Sequence, residues 1–127
     1  MKNIGWVDLT IEDAASTRDF YSRVMGWHPE PVDMGGYADF NMTDPTTGEP
    51  QAGVCHARGV NAGLPPVWLV YFRVESLDRS IAAIEEAGGA LLQAPRSAGG
   101  ARYVVARDPA GAVFAIVEGG DDAADPA

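Results

Sequence analysis

The chain carries the same pattern twice, 63 residues apart, and a repeat of that length limits the fold more than any composition does. In residues 4–13, IGWVDLTIED, Val7, Leu9 and Ile11 alternate with Trp6, Asp8 and Thr10, the period of two that marks a half-buried strand. Residues 67–76, VWLVYFRVES, repeat it with Val70, Phe72 and Val74 on one face and Leu69, Tyr71 and Arg73 on the other. Each stretch runs into helical spacing. Asp13 suits an N-cap, Thr17, Phe20, Tyr21 and Val24 recur as a packing stripe, and Gly26 ends the helix. In the second copy Leu77, Ile81 and Ile84 make the stripe and Gly88-Gly89 the stop.

Short extended segments follow each helix, at 27–33, 37–43 and 50–56, then at 90–94, 101–107 and 112–118. Met34-Gly35-Gly36-Tyr37 matches Ser97-Ala98-Gly99-Gly100 as a glycine-rich connection, and the turn at Asp44-Pro45 matches the one at Asp108-Pro109. The first Asp-Pro turn is one residue longer, which returns the offset to 63 at Gly48 and Gly111. The expected fold is α+β, with two tandem β-α-β-β-β modules over residues 4–57 and 67–118, joined by the linker RGVNAGLPP. Together they make one domain, 1–118, and the small acidic tail at 119–127 is expected to fray.

One helix on each sheet leaves the opposite faces uncovered, so the modules are expected to curl into a curved, incomplete barrel with a shared cavity. Trp6, Asp8, Thr10, Leu69, Tyr71 and Arg73 are expected to line it. The closing strands are expected to add Ala52, Val54, His56, Val113, Ala115 and Val117, while Cys55 turns toward the helix as a small buried hydrophobe.

A chain of 127 residues suits one domain and buries about two-thirds of the surface exposed by its unfolded form. Eighteen acidic against nine basic residues give a formal charge of −9, which repels the phosphate backbone, so no nucleic-acid partner is expected. The single cysteine cannot form an internal bridge, no apolar run reaches the ~20 residues that span a bilayer, and Met1-Lys2-Asn3 does not begin a signal peptide. A reducing cytoplasm and no membrane association are the expectation.

With DLTIEDAASTRDFYSRVMGW in the first half and DPAGAVFAIVE in the second, the tandem units resemble the vicinal oxygen chelate superfamily. That superfamily includes glyoxalases, extradiol dioxygenases and bleomycin- or fosfomycin-resistance proteins. The resemblance covers residues 4–118 and rests on the helix end at Phe20, Tyr21 and Gly26 and on the turn at Asp108, Pro109 and Gly111. It implies the fold and leaves the activity open, because one fold hosts many chemistries.

Metal-dependent members place His, Gln or Glu at equivalent points of the first and last strands of each module. Here the matching positions are Trp6, Leu69 and Ala115, with Ala52 reached through the repeat. None of these side chains can ligate a divalent ion, so neither a metal nor a cofactor is expected. A rebuilt site would draw on Asp8, His56 and Glu118, and Asp8 with His56 alone falls short of the three or so protein ligands of a catalytic metal.

The function that these residues suggest is metal-independent binding of a small, mostly apolar organic compound, in sequestration or resistance, with Trp6, Asp8, Thr10, His56, Leu69, Tyr71, Arg73 and Ala115 as contacts. The alternative is a glyoxalase-like lyase or isomerase, in which Asp8 or His56 moves the proton and Arg73 stabilises the oxyanion. Plainer roles stand beside both: an Asp8–Arg73 structural pair, Trp6 as core filler, His56 held by local hydrogen bonds, or a pure interaction module. Uncovered sheet edges and a half-open cup also lead to the expectation of a homodimer.

Overall fold

A computed structural model describes residues 3–119 as two helices and, among those residues, nine strands in a mixed α+β fold. Of the expected tail only Gly119 is included, and 120–127 lie outside the described residues. The order is β1 (Ile4–Ile11), α1 (Ala14–Met25), β2 (His28–Asp33), β3 (Ala38–Thr43), β4 (Pro50–His56), a 3-10 turn (Gly59–Asn61), β5 (Trp68–Val74), α2 (Leu77–Glu86), β6 (Ala90–Leu91), β7 (Arg96–Ala98), β8 (Ala101–Arg107) and β9 (Val113–Glu118). Within each unit described below the strands form an open sheet that does not close on itself.

The chain divides into two compact units, residues 7–68 and residues 3–6 with 69–119. In the first, the strand order is β2-β3-β4-β1, with β1 parallel to β4 and the other pairs antiparallel. α1 begins where the Asp13 carboxylate accepts the Ser16 N–H at 3.1 Å, and ends at Gly26, whose φ of 74° lets its N–H reach the Ser22 carbonyl at 2.9 Å. Its Ala14 packs on Phe40, Met42 and Val54, with Ile11, Tyr21, Trp27 and Trp68 around them. Met42 and Val54 are fully buried, each stabilising the fold by about 1.5–3 kcal/mol. The expected stripe is only half right: Tyr21 packs inward, whereas Phe20 and Val24 are 57% and 58% exposed.

In the second unit β5 runs parallel to β9, β9 antiparallel to β8, and β6 and β7 both antiparallel to β8. Ser76 caps α2 by accepting the Arg79 N–H at 3.2 Å, and the Leu77 N–H is taken by Glu118 Oε1 at 2.9 Å. Leu77, Val104 and Ile116 form the core, joined by Val74, Ile81, Ile84, Leu91 and Phe114. The single strand expected at 90–94 is instead two short strands. Pro95 has no N–H to give the ladder, and pairing resumes at Arg96. The expected connection at 97–100 narrows to Gly99-Gly100, whose positive φ values of 58° and 83° close a two-residue hairpin between Ala98 and Ala101.

One irregularity overturns an expectation about faces. Met42 pairs with Ala52 and Thr43 with Pro50, so Gln51 is an extra residue bulging from β4. Beyond it the repeat offset is 62: Asp8 pairs with Gly53 as Tyr71 pairs with Ala115. A one-residue slip exchanges the two faces of a strand. Val54 therefore packs under α1, and Ala52 and His56 share that side by alternation. Cys55 stands with Asp8 and Thr10, the reverse of what the sequence pattern indicates.

Candidate functional site

The side of the first unit away from α1 is built from three adjacent strands. Phe40 and Met42 point to the helix, so Asp39, Asn41 and Thr43 of β3 point away, beside Gly53 and Cys55 of β4 and Asp8 and Thr10 of β1. Asp8, Thr10, Asp39 and Thr43 are all buried. Buried polar groups must find hydrogen-bond partners. Thr43 Oγ1 donates to the His28 carbonyl at 3.1 Å, and Asp39 Oδ1 accepts the His56 main-chain N–H at 2.8 Å. Asn41 Oδ1 is buried with no such partner among the described residues.

His56 lies at the end of β4, where Asp39 Oδ1 also meets its Nδ1 at 3.3 Å. The ring packs edge-on against Tyr37 at 5.5 Å and near Phe40 at 6.3 Å, while the Arg58 guanidinium lies 4.0 Å over the Tyr37 ring. Asp39 thereby fixes the imidazole by its Nδ1 side and leaves Nε2 as the atom that can exchange a proton with a bound molecule. Asp13, whose charge reaches His56, has its carboxyl held below the ordinary value of 3.8, first by the Ser16 N–H that it accepts.

In the second unit the side away from α2 is apolar and aromatic. Leu69, Tyr71, Ala115 and Val117 are buried there, with the Tyr71 and Tyr103 rings 5.7 Å apart. Arg73 Nη1 donates to the Ile4 carbonyl at 3.1 Å, and its main-chain N–H to the Asn3 carbonyl at 2.7 Å. Gly5 allows that approach, since a Cβ on it would lie 3.0 Å from Val117 Cγ1 and 3.4 Å from Arg73 Cγ. Trp6 is buried, and its Nε1 has no hydrogen-bond partner among the described residues.

Of the residues singled out in the sequence, Asp8 and Thr10 share one face of the first unit, and Leu69, Tyr71, Arg73 and Ala115 one face of the second. His56 stands apart from Asp8: three register positions away and on the α1 side. Asp39 and Asn41 escaped the sequence reading. The alternation in ADFNMT marks them as one face of a strand, and such a face reads as solvated unless its burial is known.

The metal positions implied by the resemblance can be tested on side-chain chemistry. The observed register replaces Ala52 by Gly53, and Trp6, Gly53, Leu69 and Ala115 offer no donor to a divalent ion. Asp8 and His56 do not converge, and Glu118 is engaged with the Leu77 N–H and with Arg102 Nη1 at 3.5 Å. Among the described residues no three His, Cys, Asp or Glu side chains gather. These residues do not fit a metal ion.

The family model of the Glyoxalase/Bleomycin resistance protein/Dioxygenase superfamily matches residues 3–116. The chain is 32% identical over 127 residues to the anthracycline biosynthesis protein DnrV of Streptomyces peucetius, covering 87% of this chain and 45% of that protein. It is 29% identical over 117 residues to the putative glyoxylase CFP32 of Mycobacterium bovis, covering 87% and 43%. The chain thus spans under half the length of these relatives. Among solved structures, Streptomyces coelicolor methylmalonyl-CoA epimerase in complex with 2-nitronate-propionyl-CoA superposes with a TM-score of 0.55 at 18% identity, covering 93% of this chain and 97% of that one. At that identity the likeness is one of fold.

Proposed function

Because the chain belongs to the Glyoxalase/Bleomycin resistance protein/Dioxygenase superfamily, we propose that it is a metal-independent member that binds a small, mostly apolar organic compound in the cytoplasm, for sequestration or resistance. The observation that carries this reading is the donor-free set at the four matched positions, Trp6, Gly53, Leu69 and Ala115. In the first unit Asp8 and Thr10 offer polar contacts to orient such a compound, and in the second the aromatic and aliphatic side chains, with Tyr71 and Arg73, present a face of similar character. The names of the relatives are compatible with small-molecule chemistry, in one case that of anthracyclines. Protein purified without chelator and dialysed is expected to hold no stoichiometric zinc, nickel, manganese or iron by elemental analysis. About one metal per chain, retained through dialysis, would end the reading.

A second reading is favoured by the Asp39–His56 hydrogen bond, which supplies an oriented imidazole. In it the protein is a lyase or isomerase acting beside a carbonyl, with His56 Nε2 taking the proton. Turnover that His56→Gln abolishes without lowering the melting temperature would decide for it.

A further inference from the structure

The three polar side chains of β3 that face away from α1 are not equally satisfied. Thr43 and Asp39, on either side of Asn41, each have a partner that folding itself provides, the His28 carbonyl and the His56 N–H. Asn41 is only partly buried, yet its Oδ1 is shut off from water and has no partner among the described residues. A chain gains nothing in stability by keeping such an acceptor, since a side chain of the same shape without it would avoid the desolvation cost.

The place beside Asn41 is equally unusual. Its cross-strand partner is Gly53, and the partner of Gly53 on the next strand is Asp8, so Asn41, Gly53 and Asp8 form one row across β3, β4 and β1. With strands about 4.8 Å apart, the backbones of Asn41 and Asp8 are about 10 Å apart, and β4 puts no side chain between them. Gly53 is not among the glycines of positive φ, so the backbone does not demand glycine there.

Resting on the binding function proposed above, we infer that Asn41 is a specificity-determining residue of that site: its Oδ1 accepts a hydrogen bond from a hydroxyl of the bound compound. The ligand is then a hydroxylated compound with an otherwise apolar body, and neither a plain hydrocarbon nor one whose polar atoms only accept. A site built to accept a hydrogen bond rejects an analogue that cannot donate it.

The test uses the whole chain with two probes differing only at that proton, 1-naphthol and 1-methoxynaphthalene, measured by calorimetry against wild type and Asn41→Leu, together with ligand-free melting curves. Wild type is expected to prefer the naphthol by roughly tenfold, the worth of one buried hydrogen bond, and Asn41→Leu to lose that preference while its ligand-free melting temperature stays level or rises. Saturable binding of both probes by wild type with equal affinity overturns the inference and leaves the binding function intact. A preference that survives in Asn41→Leu overturns the assignment to Asn41. A fall in the ligand-free melting temperature of several degrees shows that the amide serves the fold and also overturns it. Wild type that binds neither probe overturns the hydroxyl reading and counts against the binding function together.

Discussion

At the scale of single residues, two carboxylates show how position sets the role of one functional group. Asp39 is buried and accepts from both the main chain and the ring of His56, so Asp39→Ala leaves two donors without their acceptor. The expected loss is about 1–3 kcal/mol, read as a lower midpoint in urea denaturation, and unaltered stability would show that water replaces the carboxylate at no cost. Asp13 is exposed and acts chiefly as the cap of α1. Its carboxyl titrates below 3.8 because it accepts the Ser16 N–H in the folded chain and loses that bond on unfolding. The ionised cap therefore stabilises the fold fully above the unfolded value, and this contribution disappears as pH falls through the folded one. Asparagine caps without titrating, so wild type is expected to melt above Asp13→Asn near neutral pH and to lose that advantage at a pH well below the ordinary value of 3.8. Melting curves at the two pH values check it, and a constant difference would remove the charge from the explanation.

At the scale of elements, the bulge at Gln51 shifts the alternation of β4 relative to the turn before it. Deleting Gln51 would make the pairing with β3 regular through Thr43–Pro50 and Met42–Ala52, keep Ala52, Val54 and His56 on the α1 side, and turn over only Pro50 and the turn before it. The expected cost is therefore small, about 1 kcal/mol or less, seen as a denaturation midpoint close to that of wild type. A collapse of the midpoint in the deletion would mean that the register of β4 is set from the turn rather than from its pairing with β1 and β3. The same bulge marks the limit of what the sequence discloses. Strand alternation, the Asp13 and Gly26 caps and the Gly99-Gly100 turn are local signals, and all appear in the fold. The pairing of Thr43 with Pro50 depends on a partner strand, so the side taken by His56 and Cys55 could not be read locally. Helical spacing allowed Phe20 and Val24 as well as Ala14 and Tyr21, and only the sheet beneath α1 chose between them. In the second unit the shared face of Leu69 and Ala115 was legible from alternation. The importance of Asn41 was not, because polarity is written in a sequence and burial is not.

At the scale of the whole molecule, the homodimer expected from uncovered edges needs a different surface. β2 ends the strand order of its unit, and its sequence HPEPVD sets Pro29 and Pro31 among Glu30 and Asp33. Proline without an N–H and repelling carboxylates are the devices by which sheets avoid pairing edge to edge, so this edge is protected against a second copy. Apolar surface stands exposed on α1 instead, where Phe20, Val24 and Met25 are each more than half exposed although the chain carries a charge of −9. Water-exposed aromatic and aliphatic side chains grouped on one helix are the usual mark of an interface. Light scattering at tens of micromolar is therefore expected to give twice the 13.4 kDa chain mass. The double change Phe20→Glu with Val24→Glu places two like charges against their symmetry mates, and is expected to give monomers whose α1 core, built on Ala14 and Tyr21, still melts cooperatively. A wild-type monomer at that concentration would reject the dimer, and a double variant that remains dimeric would move the interface away from α1.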